Sequence, residues 1–137
     1  RLRFAALAGV LRGLGPAPVM SAIVGQLLGA SYRRQPGAVA AVTRWIRATP
    51  RRDLARAVLA WAGRPALAGR LGSIRAPTTV IVGAEDSACP RGFMAALAAE
   101  LGGAPLRVIA GAGHTVQMEQ PAAVTEVIEE LLASLGA

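Results

Sequence analysis

The chain holds one histidine, His114, at the end of the run Gly111-Ala112-Gly113-His114. It also holds two adjacent carboxylates, Glu85 and Asp86, in the run Gly83-Ala84-Glu85-Asp86. Both groups follow a short apolar stretch that ends in a glycine turn. The chemistry open to such a pair is general base catalysis. An acid that grips one ring nitrogen of an imidazole leaves the other as the base, fixes the tautomer and stabilises the imidazolium that forms. No metal site and no cofactor are expected, because one histidine without a Cys/His cluster supplies too few ligands. The single cysteine, Cys89, cannot form an internal disulfide. With no histidine near it in sequence, it reads as incidental rather than as a nucleophile.

The elements that must position these groups are two strands. Thr78–Val82, "TTVIV", is a β-branched run without strict alternation, as expected of a strand buried on both faces of a parallel sheet. Leu106–Ala110, "LRVIA", reads as a second strand. Between Gly83 and Leu106 lie 22 residues, enough for a crossover helix joining parallel strands. Phe93, Met94, Leu97, Ala98 and Leu101 supply that helix, which Gly102-Gly103 ends. Parallel strands deliver both glycine turns to one carboxyl-terminal edge, where open α/β sheets carry their sites. At a strand spacing of about 5 Å, a carboxylate on one turn reaches an imidazole on the next. A final amphipathic helix opens at Pro121, carries Val124, Val127, Ile128, Leu131, Leu132 and Leu135, and closes at Gly136.

Everything before Ala76 reads as helical. Phe4 to Ala30 carries one charge, Arg12, but Gly9, Gly13, Gly15, Pro16 and Pro18 break it into two short helices, so no stable membrane span is expected. Val39, Val42, Trp45 and Ile46 recur at helical spacing. Thr49 then reads as an N-cap, with Pro50 at the first position of a helix running to Gly63. A short helix is expected around Pro65–Leu71, and Trp45, Trp61 and Met20 are expected in the core or lining a pocket. The chain therefore divides into a helical section, 1–75, and a strand–helix–strand–helix section, 76–137. Two parallel strands alone leave bare edges, so this sheet expects further strands.

Composition narrows the function classes. An apolar share of 53 % in 137 residues excludes a disordered chain. The net charge of +7 is split, +12 over residues 1–75 and −5 over residues 76–137, with no lysine. The arginines are dispersed, aromatics are few, and no nucleic-acid motif occurs, so nucleic-acid binding is not expected. No signal-peptide pattern appears, and the expected location is cytoplasmic. The first residue is Arg1 rather than methionine, which points to a piece of a longer protein.

"IRAPTTVIVGAEDSACP" followed by "LRVIAGAGHTVQMEQPAAVTEVIEELL" resembles the last part of an α/β-hydrolase. In that family a Gly-x-x-Asp turn follows the penultimate strand and a Gly-x-Gly-His turn follows the last. The resemblance covers residues from about Ile74 to Leu135. It implies that Asp86 is the acid and His114 the base of a Ser-Asp-His triad, in the family's chain order. On this reading Glu85 is a solvated turn residue, Ser87 and Thr115 are turn formers, and Glu119-Gln120-Pro121 leads into the terminal helix.

The resemblance also implies what the sequence lacks. None of Ser21, Ser31, Ser73, Ser87 and Ser134 sits in the family's Gly-x-Ser-x-Gly elbow, and the oxyanion-hole segment is missing. The expected fold is thus a carboxyl-terminal portion of an α/β-hydrolase, a helical cap (1–75) followed by the end of the core (76–137), inactive alone. The parent would hydrolyse small apolar esters, lactones or related bonds. Acyl transfer, haloperoxidase-type and dehalogenase chemistry share the scaffold. A non-enzymatic binding module with a basic helical surface is the alternative from another class. Oligomeric state is not encoded in any feature of the sequence.

Overall fold

The computed structural model describes residues 2–67 and 69–136. Its backbone groups into two compact units, Arg1–Val24 with Gly37–Ala66, and Gly25–Pro36 with Leu67–Ala137. The first unit is helical. Helix α1 (Leu2–Gly13) is followed by a 3₁₀ turn (Ala17–Val19) and the start of α2 (Met20–Leu27). Helices α4 (Ala38–Ala48) and α5 (Arg51–Ala62) complete it. The proline- and glycine-rich break between α1 and α2 falls where the sequence places it. No helix among the described residues is long and apolar enough to cross a membrane.

Small residues let α1 and α5 approach closely. Ala8, Leu11 and Ala55 are buried between them, with Leu7, Val19, Ile23, Leu54 and Val58 packed around. Removing such apolar surface from water supplies the main stabilising term for the pair. Phe4 meets Trp61 edge-on at 4.5 Å between ring centroids, and the Arg64 guanidinium lies 5.5 Å from the Trp61 ring.

The fold departs from the sequence expectations at four points. Pro50 is not the first helical residue of α5: its ψ of 136° keeps it extended, as the N-cap. Its carbonyl accepts the first helical N–H groups, from Asp53 and Leu54. Thr49 instead closes α4, its hydroxyl donating to the Trp45 carbonyl. The expected helix over Pro65–Leu71 is absent from the described residues of that stretch. A turn with Gly69 at φ +76° interrupts it, and only a 3₁₀ turn, Leu71–Ser73, follows. Trp45 and Trp61 are not core residues, being 67 % and 51 % exposed, and Met20 is half-buried. The buried face of α4 is Ala38, Val42 and Ile46, which leaves Trp45 at its margin.

The second unit carries the strands. β1 (Val80–Gly83) and β2 (Leu106–Ile109) pair in parallel, Val80 opposite Leu106 and Gly83 opposite Ile109. Helix α6 (Arg91–Glu100) makes the crossover and contacts both strands. A short helix α7 (Val116–Glu119) leads into α8 (Pro121–Leu135), which packs on β2. Val80 and Val82 are buried, with Ile81 partly so, as a strand covered on both faces requires. Arg107, exposed on β2, forms an ion pair with Glu130 of α8. The described sheet has these two strands only. Short helix α3 (Ala30–Arg33) belongs to this unit although it lies in the amino-terminal part of the chain.

Candidate active site

The register of β1 and β2 starts their two following turns side by side. Backbone bonds then sew the turns together: Ala84 N–H donates to the Ile109 carbonyl and Glu85 N–H to the Ala112 carbonyl, each at 2.8 Å. Gly83 is needed for that approach, because a Cβ there would collide with the backbone of Ala112 and Gly113.

Asp86 is fixed by its own turn. Its Oδ1 accepts the N–H groups of Ala88 and Cys89, both at 2.8 Å. Its Oδ2 lies 3.0 Å from His114 Nδ1. The carboxylate side chain is 5 % exposed, and the imidazole is 40 % exposed. With the ring proton on Nδ1 the histidine donates to Asp86, and Nε2 is then the basic nitrogen. The structure thus brings together the two residues the sequence singled out, 28 positions apart.

Glu85 does not behave as a solvated turn residue. Its carboxylate accepts the Ser31 hydroxyl and, at 2.7 Å, the Ser31 N–H at the start of α3. Arg34 in turn donates to the Ser31 hydroxyl at 3.2 Å. The Ser31 hydroxyl, and after it the Ser31 N–H, hold the Glu85 carboxyl below its ordinary pKa, aided by the Arg34 charge. The adjacent acids are therefore divided between two tasks: one meets the imidazole, the other anchors α3.

Glu119 is the residue that sequence reasoning passed over. Its side chain is buried, yet all its bonds are made. Oε2 accepts Gly29 N–H at 2.8 Å and Gly113 N–H at 2.9 Å. Oε1 accepts the Thr115 N–H at 3.1 Å and its hydroxyl at 2.9 Å. The Leu27 carbonyl adds bonds from His114 N–H and Thr115 N–H, each at 3.1 Å. A carboxylate so placed grips the residues on both sides of His114 and ties them to the segment between α2 and α3. Gly113 sits so close to Gly29 that a Cβ on it would strike the Gly29 backbone nitrogen. The one local signal was an acid four residues past Thr115; the Gly29 partner, 90 positions away, left none.

Cys89 joins the same cluster. Donor atoms of Asp86, Cys89 and His114 all lie within 4.8 Å of one another. The thiol, remote from His114 in sequence, is thus next to it in space, because the parallel strands return both turns to one edge. The expectation that Cys89 is incidental rested on its distance from His114 in sequence, and the fold removes that distance.

This arrangement can be set beside known proteins. A profile described as the alpha/beta hydrolase family matches residues 2–127. Among solved structures, a thermophilic esterase from Thermogutta terrifontis, studied with malate bound, superposes with a TM-score of 0.87 at 30 % sequence identity. The match covers 98 % of this chain and 50 % of that one, so the chain spans half the length of the esterase. No curated protein matches. A profile matching over nine-tenths of the sequence, joined to parallel strands whose turns carry Asp86 and His114, leads to one classification: the chain belongs to the alpha/beta hydrolase family.

Proposed function

We propose that Asp86 and His114 are the acid and base of a serine-type hydrolase acting on small apolar esters, lactones or related bonds. The observation that carries the reading is the 3.0 Å contact between a nearly buried carboxylate oxygen and Nδ1 of a half-exposed imidazole. His114 Nε2 would take the proton of a nucleophile, which then attacks the acyl carbon and expels the alcohol as the imidazolium protonates it. The same nitrogen would next deprotonate water to release the acid. Asp86 holds the productive tautomer and stabilises the imidazolium, without itself becoming protonated.

The nucleophile and oxyanion donors would come from residues outside these 137, since no Gly-x-Ser-x-Gly run is present. The helical unit within residues 1–75 would supply the cap of that longer protein. The match to an esterase supports ester cleavage as the reaction. In a longer protein that carries a nucleophile, His114→Ala should abolish turnover of a short-chain acyl ester while leaving its binding nearly intact. Asp86→Asn should lower kcat by a factor on the order of 10⁴ through the wrong tautomer. The 137-residue chain alone should give no turnover above background. Full activity in Asp86→Asn together with a crippled Glu85→Gln would overturn the assignment.

A further inference from the structure

We propose that Asp86, Cys89 and His114 form a binding site for one thiophilic divalent cation of the zinc type, and that occupancy switches the imidazole to the wrong tautomer. The three side chains offer a carboxylate oxygen, a sulfur and an imidazole nitrogen within 4.8 Å of one another. That donor set is the one zinc takes, at bond lengths of about 2.0–2.3 Å. The Nδ1–Oδ2 separation of 3.0 Å is close to what two ligands of one tetrahedral ion require, so the cation takes the position of the shared proton with little movement of these two, and the Cys89 sulfur, within 4.8 Å of both, closes in by about 1 Å.

The loop is built to hold the sulfur there. Asp86 Oδ1 accepts the Cys89 N–H, so the carboxylate that would ligate through Oδ2 also fixes the backbone from which the thiol projects. Pro90 follows and leads into α6, which stiffens the far side of the turn. The half-exposed imidazole gives the ion a way in and leaves its fourth position to water. Thiolate and carboxylate together neutralise the two positive charges.

The proton balance is definite. The thiol loses its proton on binding the ion. His114 gives up the Nδ1 proton and gains one on Nε2, so one proton per ion is released in all. Nε2 then carries hydrogen and cannot accept a proton from a nucleophile. Binding itself depends only on the placement of the three groups; the loss of base function rests on the hydrolase reading. A failed cation titration would therefore leave that reading untouched.

The probe is Cd²⁺ alone, titrated into the chain at neutral pH, with thiolate-to-metal absorption in the near ultraviolet and proton release followed together. The expected result is saturation at one ion and about one proton per chain, with Zn²⁺ displacing the Cd²⁺ signal and Mg²⁺ leaving it unchanged. Cys89→Ser should remove the absorption. His114→Gln and Asp86→Asn should each keep it but weaken binding at least about tenfold, since each deletes one of three ligands. Cys89→Ala is the second thiol variant, should the first misfold by circular dichroism. No absorption at stoichiometric Cd²⁺ would overturn the site. Equal affinity in wild type, His114→Gln and Asp86→Asn would do so too, by reducing it to a thiol reacting on its own.

Discussion

Glu119→Gln is the sharpest test of how the imidazole turn is held. The carboxylate receives four hydrogen bonds, two on each oxygen, and every donor is fixed backbone except the Thr115 hydroxyl. An amide of the same shape keeps one acceptor oxygen and turns an NH₂ toward the other pair of donors. The less damaging orientation leaves the oxygen on Gly29 and Gly113 and sets the NH₂ against Thr115, whose hydroxyl can rotate to accept. The two retained bonds then lose charge assistance, about 1 kcal/mol each, while the Thr115 N–H keeps its bond to the Leu27 carbonyl and loses only the shared one, at about 0.5 kcal/mol. Relief from burying a charge offsets part of this, which leaves a net cost of about 1–2 kcal/mol. At 1.36 kcal/mol per tenfold, amide hydrogen exchange at Gly29 and Gly113 should accelerate by about 5- to 30-fold. NMR-detected exchange reads both amides directly. Rates within about twofold of wild type at both positions would refute the idea that this carboxylate clamps the turn.

Further outcomes follow from the same geometry. Gly113→Ala drives a Cβ into the Gly29 backbone nitrogen, which cannot rotate away as a side chain would; thermal unfolding should register about 1–3 kcal/mol of overpacking. Leu11→Ala empties a fully buried position between α1 and α5 and should cost about 2–5 kcal/mol, read by denaturant unfolding of the helical unit. For Glu85, the folded carboxyl titrates below its reference of 4.5. Its contribution to stability is therefore complete above 4.5 and is lost as pH falls through the lowered folded value. A carboxyl NMR titration should show this, and Ser31→Ala should move the midpoint back up toward 4.5; a wild-type midpoint at or above 4.5 would contradict the Ser31 bonds.

What could be read from the sequence followed how local the cause was. "TTVIV" and "LRVIA" marked both strands to within two residues, because β-branched runs stopped by glycine depend on neighbours along the chain. The Asp86–His114 contact was legible for the same reason, since two short βα turns on adjacent parallel strands leave few places for their side chains. The role of Glu119 was hidden: its Gly29 and Gly113 partners are backbone N–H groups, which every residue type offers and which carry no sequence signal. Glu85 was misread because Ser31 approaches it from 54 positions away. Trp45 and Trp61 were misplaced by an average preference of large rings for interiors, whereas α4 and α1–α5 bury mainly alanine, valine, leucine and isoleucine. The helix expected over Pro65–Leu71 failed at Gly69, whose left-handed φ no periodicity count reveals.

The clamp on the imidazole turn has a consequence for the order in which this region assembles. The strand pair and the Asp86–His114 contact join positions about 30 residues apart, whereas the bonds from Glu119 and Thr115 to Gly29 and Leu27 close spans of 90 and 88. Chain entropy makes the longer closure costlier by about 1 kcal/mol, before any helix has to be brought in with it. The two strands can therefore zip first, with the histidine loosely hung. Only arrival of the early Leu27–Ser31 strip completes the bonds on either side of His114, so the loop-closure cost of fastening this turn falls on the two ends of the chain rather than on the strands that carry it.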